Sequence, residues 1–174
     1  MGKIGIHLTG EWGMDIFAFA LKMEKDGQDF YRNLAAKTKS KGLANILEML
    51  ADEELKHYRA IQDLQTQKQH QMAQTSLLKR AKNVFKRMKE FGENFEADAS
   101  ELQLYRQAMR LEEQSRTFYL DRADEAADLK NKERFMRLAE EEKKHYILLE
   151  HIADFVSRPQ QWLENAEFFH LEDY

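Results

Sequence analysis

D-E-E-L-K-H-Y, residues 52–58, returns as E-E-E-K-K-H-Y at residues 140–146. Both carry a Glu-x-x-His, Glu54/His57 and Glu142/His145, and the spacing is the same for each partner: 142 − 54 and 145 − 57 both give 88. Residues three apart lie on one face of a helix, about one turn from each other, so each pair reaches a common point. Working outward, the same offset links Glu24 to Glu112, Tyr31 to Tyr119 and Tyr58 to Tyr146. Each Glu stands seven residues before its tyrosine, two helical turns, so the two share a face. A repeat this long points to two equivalent halves.

The apolar pattern around these residues is helical. Phe17, Ala20, Leu21, Phe30, Tyr31 and Leu34 predict a helix from Met14 to about Lys37, and Ile46, Leu47, Leu50, Leu55, Ile61 and Leu64 predict one from Leu43 to about Gln67. The break at 38–42 is short, which makes the two antiparallel neighbours. The second half repeats the plan over Leu102 to about Ala127 and Lys132 to about Val156. Residues 68–100 between the hairpins must run the length of the bundle, roughly 30 Å for a helix of about 20 residues. There Leu77, Leu78, Ala81, Val84, Phe85, Met88 and Phe91 form one stripe, with Lys79, Arg80, Lys82, Lys86, Arg87 and Lys89 opposite. The plain reading is a connecting helix packed on the bundle or a partner subunit; the sharper one is a basic surface for anionic lipid or an acidic redox partner. The expected class is all-α: an antiparallel four-helix bundle, 14–157, made of two αα-hairpins joined by a long, partly helical crossover. A lead-in, 1–13, and an aromatic tail, 158–174, with Trp162, Phe168 and Phe169, flank it.

Composition bounds the function. The chain of 174 residues suits one domain, and a single Pro with seven Gly leaves long runs of helix formers. Without cysteine there is no disulfide, thiolate metal site or iron–sulfur centre. A net charge of −4 with mixed signs gives no footprint for nucleic acid. No apolar run approaches the roughly 20 residues of a membrane span. Four of the seven glycines fall in Met1–Gly13, which lacks a secretory apolar region, so the expected compartment is the cytosol, with no membrane contact.

The charged pattern is what demands chemistry. Glu24 and Glu112 are solvated helix-surface residues on the plain reading, but each falls among the apolar positions of its helix. An inward carboxylate without compensation costs several kcal/mol or shifts its pKa. Four of them, Glu24, Glu54, Glu112 and Glu142, are cancelled by two divalent cations, with His57 and His145 as neutral ligands. A carboxylate-rich, thiolate-free set suits iron or manganese better than copper, and a structural zinc favours Cys or His. Tyr31 and Tyr119 are either donors to the carboxylates or core aromatics. A third Glu-x-x-His, Glu167/His170, has no counterpart in the other half, where Lys82 stands opposite His170 (170 − 88), and is expected to be coincidental.

Four motifs in order carry a family resemblance: A-L-K-M-E-K-D-G-Q-D-F-Y (20–31), D-E-E-L-K-H-Y (52–58), A-M-R-L-E-E-Q-S-R-T-F-Y (108–119) and E-E-E-K-K-H-Y (140–146). Over about Phe17 to Val156 the chain resembles the rubrerythrin-like branch of the ferritin-like di-iron carboxylate proteins. The resemblance implies a ferritin-like bundle around two iron ions, with manganese or zinc as substitutes, and ligand status for Glu24, Glu54, His57, Glu112, Glu142 and His145. Glu53, Glu113 and Glu141 fall outside the motif positions and are expected to face solvent.

Two departures stand out. Rubrerythrins proper have a further Glu one turn after the third-helix ligand, where this chain has Ser115, and the symmetric position is Gly27. The ligand exchange linked to that Glu is therefore expected to be absent or altered. This chain also lacks the cysteines of the rubredoxin domain that rubrerythrins carry, so electrons are expected from a separate protein or reductant. The resemblance further implies a homodimer, with exchanged helices as one arrangement. The expected function is a di-iron oxidoreductase reacting with hydrogen peroxide or dioxygen. The alternatives are a ferroxidase for iron storage or detoxification, and a helical interaction protein with a vestigial site.

Overall fold

The computed structural model describes residues 15–68, 72–92, 95, 99–165 and 167–174. The lead-in 1–13 lies outside the described residues. Four long helices form the frame: α1 (Ile16–Lys37), α2 (Lys41–Gln65), α4 (Ala99–Glu125) and α5 (Leu129–Ser157). The crossover contains α3 (Leu77–Phe91), and the tail folds into α6 (Pro159–Glu164) and a 3-10 segment, Glu167–Glu172. This is the all-α, ferritin-like bundle that the pattern predicts. Among the described residues no helix is long and apolar enough to cross a membrane.

Helix starts follow local chemistry. Asp15 caps α1 by accepting from the Phe17 amide at 3.0 Å, and Ser40 caps α2 by accepting from the Leu43 amide at 3.1 Å. Asp128 caps α5 through the Asn131 amide. Each cap satisfies an amide that the first helical turn leaves unpaired. Gly92, at φ +60°, takes the left-handed position that closes α3. Pro159 cannot continue α5 but suits the first turn of α6, so one residue makes both boundaries.

The connecting helix α3 buries Leu77, Leu78, Ala81, Val84, Phe85 and Met88 against the bundle. Trp162 of the tail lies 4.5 Å from the Phe85 ring centroid and 5.7 Å from that of Phe155, so the tail locks the crossover down. The crossover is thus a connecting helix packed on its own bundle, with the tail seated against it.

At the start of α2, a Cβ on Gly42 would lie 2.2 Å from Met88 Sδ and 2.5 Å from its Cγ. Gly42→Ala therefore forces the buried Met88 side chain, or the crossover helix that carries it, to shift, and overpacking of this kind costs about 1–3 kcal/mol. Thermal unfolding of the variant should show a melting temperature lower by roughly 2–12 °C, using about 2–4 °C per kcal/mol at this size.

The core is divided along the bundle axis. One apolar cluster includes Tyr31, Leu50, Ala51, Ala108 and Leu148. A second includes Ala20, Ile61, Tyr119 and Leu138. On every long helix the motif residues fall between the two: Glu24 between Ala20 and Tyr31, Glu54 and His57 between Ala51 and Ile61, Glu112 between Ala108 and Tyr119, Glu142 and His145 between Leu138 and Leu148. The fold therefore buries a polar layer between two apolar plugs.

One expectation is corrected. Glu113 is exposed, but Glu53 and Glu141 are each only 2% exposed. The Arg80 guanidinium of the crossover helix approaches Glu53 to 3.8 Å, and Lys56 pairs with it at 2.6 Å. Glu141 pairs with Lys144 at 3.3 Å. Burial alone would raise the Glu53 carboxyl, but Lys56 outweighs it and holds the group below the usual carboxylate range. Glu53 is covered where α3 docks, under Arg80.

Candidate metal centre

The polar layer is a single cluster. Glu24, Glu54, His57, Glu112, Glu142 and His145 are all buried, with both imidazoles fully enclosed. One ligand atom from each of Glu54, His57, Glu142 and His145 lies within 4.8 Å of the others. His57 Nδ1 stands 3.2 Å from Glu142 Oε1 and 3.5 Å from Glu24 Oε2. His145 Nδ1 stands 3.0 Å from Glu54 Oε1, 3.2 Å from Glu142 Oε2 and 3.4 Å from Glu112 Oε2. The two rings stack, with centroids 5.1 Å apart and planes 10° from parallel.

The sequence repeat reappears as geometry. Tyr31 donates its hydroxyl proton to Glu112, and Tyr119 donates to Glu24. Adding 88 to both members of the Tyr119/Glu24 partner pair's counterpart positions, 31 and 24, gives 119 and 112, so each bond is the image of the other. Each tyrosine reaches across to the other hairpin. Filling core space and orienting a carboxylate are thus one role for each ring, and both tyrosines belong to the apolar plugs as well.

Proximity here is not pairing. Glu24 Oε2, Glu54 Oε1, both oxygens of Glu142 and all four imidazole nitrogens are buried with no hydrogen-bond partner. The ion-pair distances above therefore describe donor atoms converging without hydrogen-bond geometry. A buried polar group normally finds a partner, and leaving one unmet costs about 1–3 kcal/mol. A set this large, with four of its residues close enough to share one ion, suggests a metal site.

The electrostatics say the same. Burial, then the charges of Glu112, Glu142 and Glu24, push the Glu54 carboxyl well up. Glu112 is pushed up to about 7, mainly by burial, with His145 pulling the other way. Burial opposes charge on the imidazoles, yet Glu142 facing His57 and Glu112 facing His145 hold both well above the ordinary histidine value. Glu142 goes the opposite way: burial disfavours its charge, but the two imidazoles outweigh it and hold the carboxyl low. At Glu54, Glu112 and the two imidazoles the protonated form is favoured, so protons stand in for positive charge there. Two divalent cations would supply the same charge to four carboxylates with the imidazoles neutral.

A pocket of about 470 Å³ lies between α1 and α4 and reaches this layer at Glu54, Glu112 and Tyr31. Gly27 and Ser115 line it, so the position of the missing Glu and its symmetric counterpart meet the site at one place. The periodicity gave no sign of this opening, because it depends on how far two helices stand apart.

Not every chemically suggestive residue belongs to the cluster. His170 is exposed, with Nδ1 3.1 Å from Asp173 Oδ2, and stands apart from the polar layer. Tyr58 and Tyr146 are half-buried. Comparison with known proteins supplies one match: a family model described as rubrerythrin covers residues 15–153, most of the chain. No curated protein and no solved structure matches it.

Proposed function

The chain belongs to the rubrerythrin family, and we propose that it is a di-iron oxidoreductase that reduces hydrogen peroxide with electrons from a separate donor protein. The observation that carries this reading is the set of buried, unpartnered ligand atoms on three carboxylates, Glu24, Glu54 and Glu142, and two imidazoles, with Glu112 buried beside them. The residues fit the metal: the oxygen and nitrogen donors suit iron, and two divalent ions balance the carboxylates. Glu24, Glu54, Glu112 and Glu142 would hold the ions together with His57 and His145. A bound iron pair supplies the two electrons that, with two protons, convert H₂O₂ into two molecules of water.

The protein's part is positioning and exclusion of water. The apolar plugs on either side keep the layer dry, which strengthens the electrostatic interactions inside it. Tyr31 and Tyr119 fix Glu112 and Glu24 by donating to them. Their phenols are pushed well up, first by burial and then by the neighbouring carboxylates, so each hydroxyl keeps its proton and acts as a donor, not a base. The α1–α4 pocket gives an oxidant a route to the Glu54 and Glu112 edge.

The test is anaerobic iron loading followed by separate additions of peroxide and dioxygen, read by stopped-flow visible absorbance. Oxidation by peroxide should be at least about 100-fold faster than by dioxygen at equal concentration, a barrier difference of roughly 2.7 kcal/mol. Faster oxidation by dioxygen, with iron accumulating beyond the bound pair, would replace this reading with a ferroxidase.

A further inference from the structure

The α1–α4 pocket is too large for the oxidant alone. Its volume is about 470 Å³, whereas a water molecule's share of liquid is only about 30 Å³ and peroxide is of similar scale. Pockets that bury organic ligands run from roughly 300 to 1,000 Å³ and have apolar walls with a few polar groups at one end. This pocket has that construction. Its walls are Phe19, Met23, Phe30, Leu111 and Phe118, and its polar end is formed by Glu54, Glu112 and Tyr31.

Two small residues keep it open. A Cβ on Gly27 would already stand 3.2 Å from Glu54 Oε2, so a longer side chain there would fill the inner end. Ser115, one turn after Glu112, leaves the facing side of the pocket unfilled. Phe19 is 43% exposed and Leu111 40% exposed, so the apolar wall continues to the surface. The carboxylates at the inner end disfavour an anionic ligand, and the charged residues that also line the pocket, Lys22 and Asp26, pair with each other at its exposed rim, beside the exposed Gln114, and leave the inner walls apolar.

We propose that the α1–α4 pocket binds a small, uncharged, apolar organic molecule, with one end against the Glu54 and Glu112 edge of the metal centre. The binding site stands on the cavity itself; only its nearness to redox chemistry rests on the function proposed above.

The probe is N-phenyl-1-naphthylamine, an uncharged dye that brightens in apolar surroundings, titrated into chelator-treated and iron-loaded protein side by side. Saturable binding of about one dye per chain is expected in both forms, because the walls do not contain the metal. Ser115→Phe fills the pocket and should weaken binding at least about tenfold, or 1.4 kcal/mol, with iron content unchanged. Leu111→Trp, on a partly exposed position, should do the same and serves if Ser115→Phe fails to fold. The anionic relative 8-anilinonaphthalene-1-sulfonate should bind at least about tenfold more weakly. Absence of saturable binding, equal binding by the filled variants, equal affinity for the two dyes, or loss of binding as protein concentration rises and a second copy covers the face would each overturn the proposal. Iron content is measured on the same samples, so failure of the metal reading is seen separately.

Discussion

Glu54→Gln is expected to stabilise the metal-free protein and destabilise the iron-loaded one. In the unfolded chain Glu54 is ionised at neutral pH, whereas in the native cluster burial and three neighbouring carboxylates push its carboxyl well up. Folding without metal must therefore either take up a proton or bury a repelled charge, and both cost stability. Glutamine keeps the shape and removes that cost, so the chelated variant should gain about 1–3 kcal/mol, or roughly 2–12 °C in melting temperature. With iron present the same change removes a charged ligand. An affinity loss of about 100-fold would forfeit roughly 2.7 kcal/mol of binding-linked stability, some 5–10 °C. Calorimetry on both forms of both proteins reads the result. A change of the same sign with and without iron would show that Glu54 is structural.

The second large effect is that stability responds to pH in opposite directions with and without metal. The sign without metal follows from which state holds more protons. Glu54 and Glu112 have raised native values, so between the ordinary 4.5 and the native value the folded chain holds protons that the unfolded chain has lost. Stability falls as pH rises through that window. For Glu112 the move from 4.5 to about 7 is worth on the order of 3 kcal/mol. The imidazoles add to it: their values are raised too, so their contribution is present below 6.5 and lost as pH climbs through the native values. Glu142 is held low, so its contribution is lost only on acidification below 4.5. Iron displaces these protons, and its affinity rises with pH because the ligands must be deprotonated. Melting temperatures of chelated and iron-loaded protein should diverge from pH 5 to pH 7.5, the first falling and the second rising. Parallel curves would mean that the metal does not compete with these protons.

The residues show why some features were legible and others were not. The polar layer was readable because periodicity and repeat agree: Glu24 and Glu112 interrupt apolar stripes at equivalent positions, and only the inward face of a helix makes such an interruption meaningful. The crossover helix was readable from its stripe, from Leu77 to Met88. What it covers was not, since docking is a contact between distant segments. Burial of Glu53 beneath Arg80 therefore escaped a reading that treated each helix alone. Gly27 and Ser115 could be marked as unusual but not as neighbours in one pocket. That required the placement of α1 against α4, which no local pattern encodes.

In the proposed function, divalent cations neutralise four carboxylates inside the bundle. The most direct test is anaerobic titration of chelated protein with Fe(II), combining elemental analysis after gel filtration with calorimetry on the same samples. Two irons per chain should be retained, and saturation at about 1,000 times the dissociation constant should add roughly 4 kcal/mol of stability, or 8–16 °C. Protein that retains no iron and melts at an unchanged temperature would contradict the account.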